Sequence, residues 1–71
     1  MNQVAYRNLQ FPTKLLTYYI NECGFTDEEI EILRLRARGK SIVQIALELS
    51  LSEATVSRRI RNIKDKIMTV D

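Results

Sequence analysis

The chain contains no histidine and no tryptophan, and it has one cysteine and one proline in 71 residues. Without histidine it cannot use an imidazole as a base or a metal ligand, and Cys23 alone cannot form an internal disulfide or complete a Cys/His zinc site. A lone thiol is typical of a reducing compartment, and the polar start over residues 1–3 differs from a secretory signal peptide. We therefore expect a cytoplasmic protein, nucleoid-associated if it binds DNA, that is not an enzyme and needs no metal or cofactor.

The length and composition predict one small globular domain. Hydrophobic residues make up 45% of the chain and charged residues 28%, which is neither a disordered nor a membrane-protein composition. A chain of this length buries only about 60% of its unfolded surface, so close helix packing or self-association should help to stabilise it. We expect a single domain over 1–71, with an N-terminal extension and helix over 1–24 and a helical unit over 25–68.

The charges are distributed unevenly along the chain. Residues 1–33 carry two basic and five acidic side chains, a net charge of −3, whereas residues 34–71 carry nine basic and four acidic side chains, a net charge of +5. A basic half beside an acidic one is expected of a surface that meets phosphate, although such patches also bind acidic proteins and lipid headgroups.

The first two helices are predicted from their periodicity and end signals. Apolar residues spaced by three and four predict a helix near 13–23, which Gly24 can end. Thr26 and Glu29 have the spacing of a capping box at the start of a second helix, and Gly39 can supply its left-handed end.

Two further helices are predicted in the second half of the chain, and no segment has a strand pattern. Ser41 and Gln44 form a second capping-box pattern at the start of a helix of about two turns. Residues 50–52 then interrupt the periodicity, and Ser52 can cap a longer helix with apolar residues on one face, at Val56, Ile60, Ile63 and Ile67. The fold class is therefore all-α, with about four helices.

The N-terminal residues have weak periodicity but several apolar side chains. Val4, Tyr6, Leu9 and Phe11 are too apolar for a solvated tail. We expect this segment to pack back on the domain.

A short helix, a three-residue turn and a longer basic helix are typical of a helix-turn-helix, in which the second helix enters the major groove. Ala46 lies where the two helices should cross closely, with Ile45, Leu49, Leu51 and Val56 around it. The alternative is an ordinary helical hairpin, which has the same spacing.

The outer face of the last helix is the candidate DNA-reading surface. At 100° per residue, Arg58 points directly away from the apolar face, and Ala54 and Arg61 lie on the same strip. Ser57 lies at the edge of this strip and can bond a base or a phosphate. The two arginines can each bind guanine through two hydrogen bonds. The alternative is that these charges only keep the helix soluble.

Other polar side chains border this surface, and free amides at the predicted helix starts can bind phosphate oxygens. The residues predicted to contact phosphate or to flank the site are Lys40, Ser41, Gln44, Thr55, Arg59, Asn62 and Lys64.

Residues 25–67 resemble the DNA-binding domain of LuxR/GerE-type transcription regulators. The matching positions are Phe25-Thr26, Glu29, Glu31-Ile32-Leu33, Ala37, Gly39, Ser41, Ile45-Ala46, Leu49, Leu51-Ser52, Thr55-Val56, Ile60, Ile63 and Lys66-Ile67. The resemblance implies a compact helical domain, usually dimeric, whose third helix reads the major groove. It also implies that the base-reading positions fall on Ser57, Arg58 and Arg61.

The sequence departs from that family at three places. Ser57 stands where the family commonly has lysine, and Arg59 where it commonly has histidine. Arginine at 59 is similar to the fourth region of sigma factors, which shares much of the spacing, so the motif leaves both relatives open. With the chain ending at Asp71, we expect neither the additional helix that such domains often use to dimerise nor a separate signal-receiving domain.

Taken together, the sequence predicts a bacterial transcription regulator that binds double-stranded DNA in a sequence-specific way. Besides DNA, the expected partners are a second copy of the chain in a homodimer, RNA polymerase or another transcription protein. The sequence indicates no membrane and no small-molecule ligand. The alternative is a protein-interaction module that docks on polymerase or a regulator through the helix over 13–23. The apolar residues of that helix favour packing on the core over a dimer interface.

Overall fold

The computed structural model describes Leu9 and residues 11–70, and 77% of these residues are helical. Its helices are α1 (Thr13–Glu22), α2 (Asp27–Ala37), α3 (Ile42–Leu49) and α4 (Glu53–Val70). No strand occurs in the part of the chain that the structure describes. The predicted all-α class and the four predicted helices are thereby confirmed.

Side-chain caps start three of the helices where the sequence predicts them. At α2, Thr26 Oγ1 accepts a hydrogen bond from the Glu29 amide at 3.2 Å, and Glu29 Oε1 accepts one from the Thr26 amide at 2.9 Å. Ser41 and Gln44 make the same reciprocal pair at α3, at 3.1 and 2.9 Å. At α4, Ser52 Oγ accepts from the Thr55 amide at 3.0 Å. Each cap satisfies amides that the first helical turn leaves without a backbone acceptor.

Left-handed residues end the first three helices. Gly24 and Gly39 follow α1 and α2 with φ of 64° and 88°, a region in which glycine has no Cβ penalty. Arg36 also closes the end of α2, since its Nη1 donates to the Lys40 carbonyl at 2.9 Å. At the end of α3 the left-handed residue is Ser50, with φ 56°, although glycine is the usual residue in this conformation. The sequence did not indicate that Ser50 adopts it.

Helix α4 packs against both α2 and α3, and α2 also packs against α3. Ile32 and Leu33 have no exposed surface and are the residues that α2 places in the buried core. Ile30 and Ala37 are only half-buried. The inner face of α2 is therefore centred on Ile32 and Leu33. The buried apolar core consists of Leu9, Phe11, Tyr19, Ile32, Leu33, Ile45, Ala46, Val56, Ile60, Ile63 and Ile67.

The N-terminal segment joins this core through two side chains. Leu9 is 2% exposed, and the Phe11 ring lies 5.2 Å from the Tyr19 ring of α1, centroid to centroid. The expected packing of the N-terminal segment is confirmed for Leu9 and Phe11, whereas Val4 and Tyr6 lie outside the described residues.

Helix α1 directs its apolar side chains largely at its own chain. Leu15, Leu16 and Ile20 are half-buried against the core, whereas Tyr18 keeps 49% of its surface exposed. This arrangement agrees with the prediction that the apolar side chains of α1 pack on the core of their own chain and do not form a dimer interface.

Candidate nucleic-acid interface

Helices α3 and α4 form a tight pair joined by residues 50–52. The Leu51 amide donates to the Ala46 carbonyl at 2.9 Å, which folds the turn back on α3. Ile45 and Val56 are fully buried and Ala46 is 6% exposed. A larger side chain than alanine at this crossing would push the two helices apart.

Helix α4 has one apolar face and one polar face. Val56, Ile60, Ile63 and Ile67 are buried, and the opposite strip is open to solvent. The exposed strip contains Ala54, Ser57, Arg58, Arg61 and Asn62. The spacing of 100° per residue thus predicted correctly which side chains of this helix face outward.

Arg58 and Arg61 are available for an outside partner. The ion pairs among the described residues join Lys40 to Glu48, Arg59 to Glu28 and Lys66 to Glu29. Neither exposed arginine takes part in them. Two guanidinium groups one turn apart, with Ser57 beside them, form a surface that can bind base edges or phosphates.

Several predicted flanking residues are partly occupied by the fold itself. Ser41 and Gln44 bind each other's backbone in the capping box, which leaves the Gln44 amide nitrogen for other contacts. Thr55 Oγ1 accepts from Ser52 Oγ at 2.8 Å, and Lys40 Nζ lies 3.9 Å from Glu48 Oε1. Their roles toward DNA stay predictions.

Arg59 turns toward α2, where its Nε donates to Glu28 Oε1. The sequence places Arg59 on the flank of the basic helix, but nothing in it points to Glu28 as a partner. The two residues are 31 positions apart, and their contact depends on how α2 crosses α4. An acidic residue at the start of a helix is in any case expected from the helix dipole alone.

Glu29 is the second residue whose full role the sequence did not reveal. This carboxylate is 4% exposed and accepts from Lys66 Nζ at 2.6 Å in addition to capping α2. The Lys66 ammonium also lies 5.8 Å from the Phe25 ring centroid, a cation–π contact. Glu29 therefore ties the start of α2 to the C-terminal half of α4.

The pKa of Glu29 reflects two opposing effects. Burial raises it, but the hydrogen bonds from Lys66 and Thr26 and the Lys66 charge outweigh burial and hold the pKa below its ordinary value. The carboxylate is consequently ionised at neutral pH and paired.

The described part of the chain holds neither a candidate membrane span nor a candidate metal site. No helix there is both long and apolar enough to span a membrane. The same residues contain no group of three or more potential metal ligands from cysteine, histidine or acidic side chains.

The short α3, its three-residue turn and the basic α4 define a helix-turn-helix protein. Residues 24–70 match the model of the family described as "Bacterial regulatory proteins, luxR family", and the chain belongs to this family. The resemblance to LuxR/GerE-type regulators is thereby confirmed, whereas the similarity to sigma factors stays a prediction.

The chain is also similar to a curated regulatory protein. The chain is 46% identical over 46 residues to the regulatory protein SdiA of Escherichia coli (strain K12), which is 65% of this chain and 19% of that protein. The chain thus spans about a fifth of the relative's length. No solved structure matches the chain.

Proposed function

We propose that the protein regulates transcription by binding double-stranded DNA with α4 in the major groove. The exposed basic strip at Arg58 and Arg61 on the second helix of a helix-turn-helix carries this proposal. Membership of a family of bacterial regulatory proteins supports it independently. The expected place of action is the cytoplasm, where bacterial DNA lies.

Sequence recognition is assigned to three side chains. Arg58 and Arg61 each bind guanine O6 and N7, and Ser57 bonds a neighbouring base or phosphate. All three are exposed on α4, and Ala54, near its start, is small enough to let the helix approach the groove closely.

Phosphate contacts position the protein without reading sequence. The start of α3 is suited to this, because its first-turn amides lie beside Lys40 and no acidic side chain occupies that turn. Glu53 in the first turn of α4 makes that helix start less suited to a phosphate.

One copy of α4 reads only a few base pairs. We therefore propose that two copies, or one copy and another transcription protein, bind adjacent half-sites. Half-sites read by a symmetric pair would lie about one helical turn of DNA apart.

The test is a fluorescence-anisotropy titration of a mixed-sequence duplex across a salt series. We expect log affinity to fall with log salt at a slope of about −3 to −7, as for roughly four phosphate contacts in a monomer and eight in a dimer. The Arg58→Ala/Arg61→Ala variant should lose at least about tenfold in affinity for this duplex at low salt, since without a correct site the two arginines meet phosphates and the variant lacks both charges.

The matched control removes two positive charges elsewhere. Lys14 of α1 and Arg34 of α2 are exposed and lie outside the α3–α4 pair, so Lys14→Ala/Arg34→Ala should keep most of the affinity. If the Arg58/Arg61 variant binds as well as the wild type, α4 is not the reading helix. The alternative of a protein-interaction module acting through α1 would then be favoured.

A further inference from the structure

The contact between Arg59 and Glu28 joins a flank of the proposed reading helix to the start of α2. Arg59 follows Arg58 directly, and its side chain is 37% exposed, compared with 39% for Glu28. Both therefore remain within reach of solvent and of a ligand. The cleft around the pair is also lined by Thr26, Glu29 and Asn62.

Glu28 and a DNA phosphate would compete for the same group. A guanidinium on the flank of a helix in the major groove is suited to bind a phosphate oxygen, and a carboxylate satisfies it in the same way. While Glu28 holds Arg59, the pair is neutral and adds nothing to the attraction of DNA. A partly exposed ion pair is weakly stabilising, so its removal should leave the fold intact.

The other acidic contact between α2 and α4 is different in kind. The Glu29 side chain is only 5% exposed, and it also caps α2. Its substitution would disturb the fold, whereas Glu28 can be changed with little structural effect. Glu28 is thus the residue at which DNA affinity can be adjusted separately from stability.

We propose that Glu28 holds Arg59 away from the DNA backbone and thereby lowers the sequence-independent affinity for DNA. This inference rests on the proposed function. With Arg59 neutralised, the protein makes one phosphate contact fewer, so a larger share of its affinity comes from base contacts of Arg58 and Arg61. Sequence-independent binding is thereby weakened.

The first test compares Glu28→Gln with the wild type in the salt titration. We expect the slope of log affinity against log salt to become steeper by about 0.9 per protomer, and affinity for a mixed-sequence duplex at low salt to rise about three- to tenfold. Glu31→Gln, on the same helix, is the matched control because it removes the same charge from an exposed position outside the pair. Its slope should equal that of the wild type.

The second test substitutes the partner residue, Arg59. Arg59→Gln should leave the slope unchanged, because Arg59 contacts no phosphate in the wild-type complex. The Glu28→Gln/Arg59→Gln variant has the wild-type net charge and should also have the wild-type slope.

The opposite pattern would overturn the inference. If Arg59 already binds phosphate, Glu28→Gln will match the wild type, and both variants that lack Arg59 will have a shallower slope. Failure of the proposed function looks different: either no duplex binding is seen, or Arg58→Ala/Arg61→Ala binds like the wild type.

Discussion

At the scale of single residues, Glu29 combines a local and a long-range role. Its carboxylate closes the capping box of α2 and also accepts from Lys66, 37 positions further along the chain. The capping role follows from the spacing of Thr26 and Glu29. The contact with Lys66 could not be predicted, because several basic residues of the last helix were equally plausible partners. One buried carboxylate thus connects the start of one helix to the second half of another.

The first prediction concerns the pH dependence of stability. Because the folded-state pKa of Glu29 lies below its ordinary value of 4.5, the stabilisation from this residue is fully present above that value. It should be lost as the pH falls through the lower pKa of the folded state. Thermal unfolding followed by circular dichroism from neutral to acid pH should show a decline below about pH 4.5.

Two variants separate the charge of Glu29 from its hydrogen bonds. Glu29→Gln keeps an acceptor for the Thr26 amide and loses the charge, so it should reduce the acid-dependent part of the decline. Glu29→Ala also leaves the cap open and should cost about 1–3 kcal/mol at neutral pH. An unchanged pH profile in Glu29→Gln would show that other carboxylates cause the acid instability.

At the scale of helices, the boundaries were largely predictable because each start has its own polar cap. Thr26, Ser41 and Ser52 mark the starts of α2, α3 and α4. The outward face of α4 was predictable for a similar reason, since four buried residues on one side fix the opposite side. The contact of Arg59 with Glu28 was not, because periodicity within one helix gives no crossing angle between two.

The second prediction concerns Ser50, which ends α3 in the left-handed region at φ 56°. A Cβ is unfavourable there, so Ser50→Gly should stabilise the protein by about 0.5–1 kcal/mol and raise its Tm by a few degrees. Leu47→Gly is the control, since Leu47 is 77% exposed within the same helix. Glycine in a helix costs about 1 kcal/mol, so this variant should melt at a lower temperature. Equal effects of the two substitutions would contradict the strain assigned to Ser50.

At the scale of the whole molecule, the N-terminal segment and the luxR-type unit share one core. Leu9 and Phe11 are buried together with residues of all four helices. The apolar content of the first eleven residues predicted this packing, but not which side chains would be buried. The uneven charge follows the same division, because the acidic start of α2 lies against the basic α4 through Glu28 and Glu29.

The third prediction tests whether this segment stabilises the domain. Phe11→Ala removes a ring that is 9% exposed and contacts Tyr19, and should cost about 3 kcal/mol. For a domain of this size, that corresponds to a fall in Tm of at least about 10 °C. Met68→Ala is the control, because Met68 is 69% exposed and its loss should change stability by less than about 0.5 kcal/mol. A small effect at Phe11 would mean that the segment only covers a core that is stable without it.

Two contacts attach α4 to the start of α2: Arg59, beside the proposed DNA contacts, binds Glu28, and Lys66, further along the helix, binds Glu29. Arg58 lies eight positions before Lys66, about 12 Å along the helix axis. A tilt of α4 by about 5° about Lys66 would move Arg58 by about 1 Å, more than the usual range of hydrogen-bond lengths. Under the proposed function, the start of α2 therefore influences how Arg58 and Arg61 are directed, although it contacts no base itself. Substitutions at the start of α2 would then alter which base pair is chosen while every side chain proposed to face DNA stays the same.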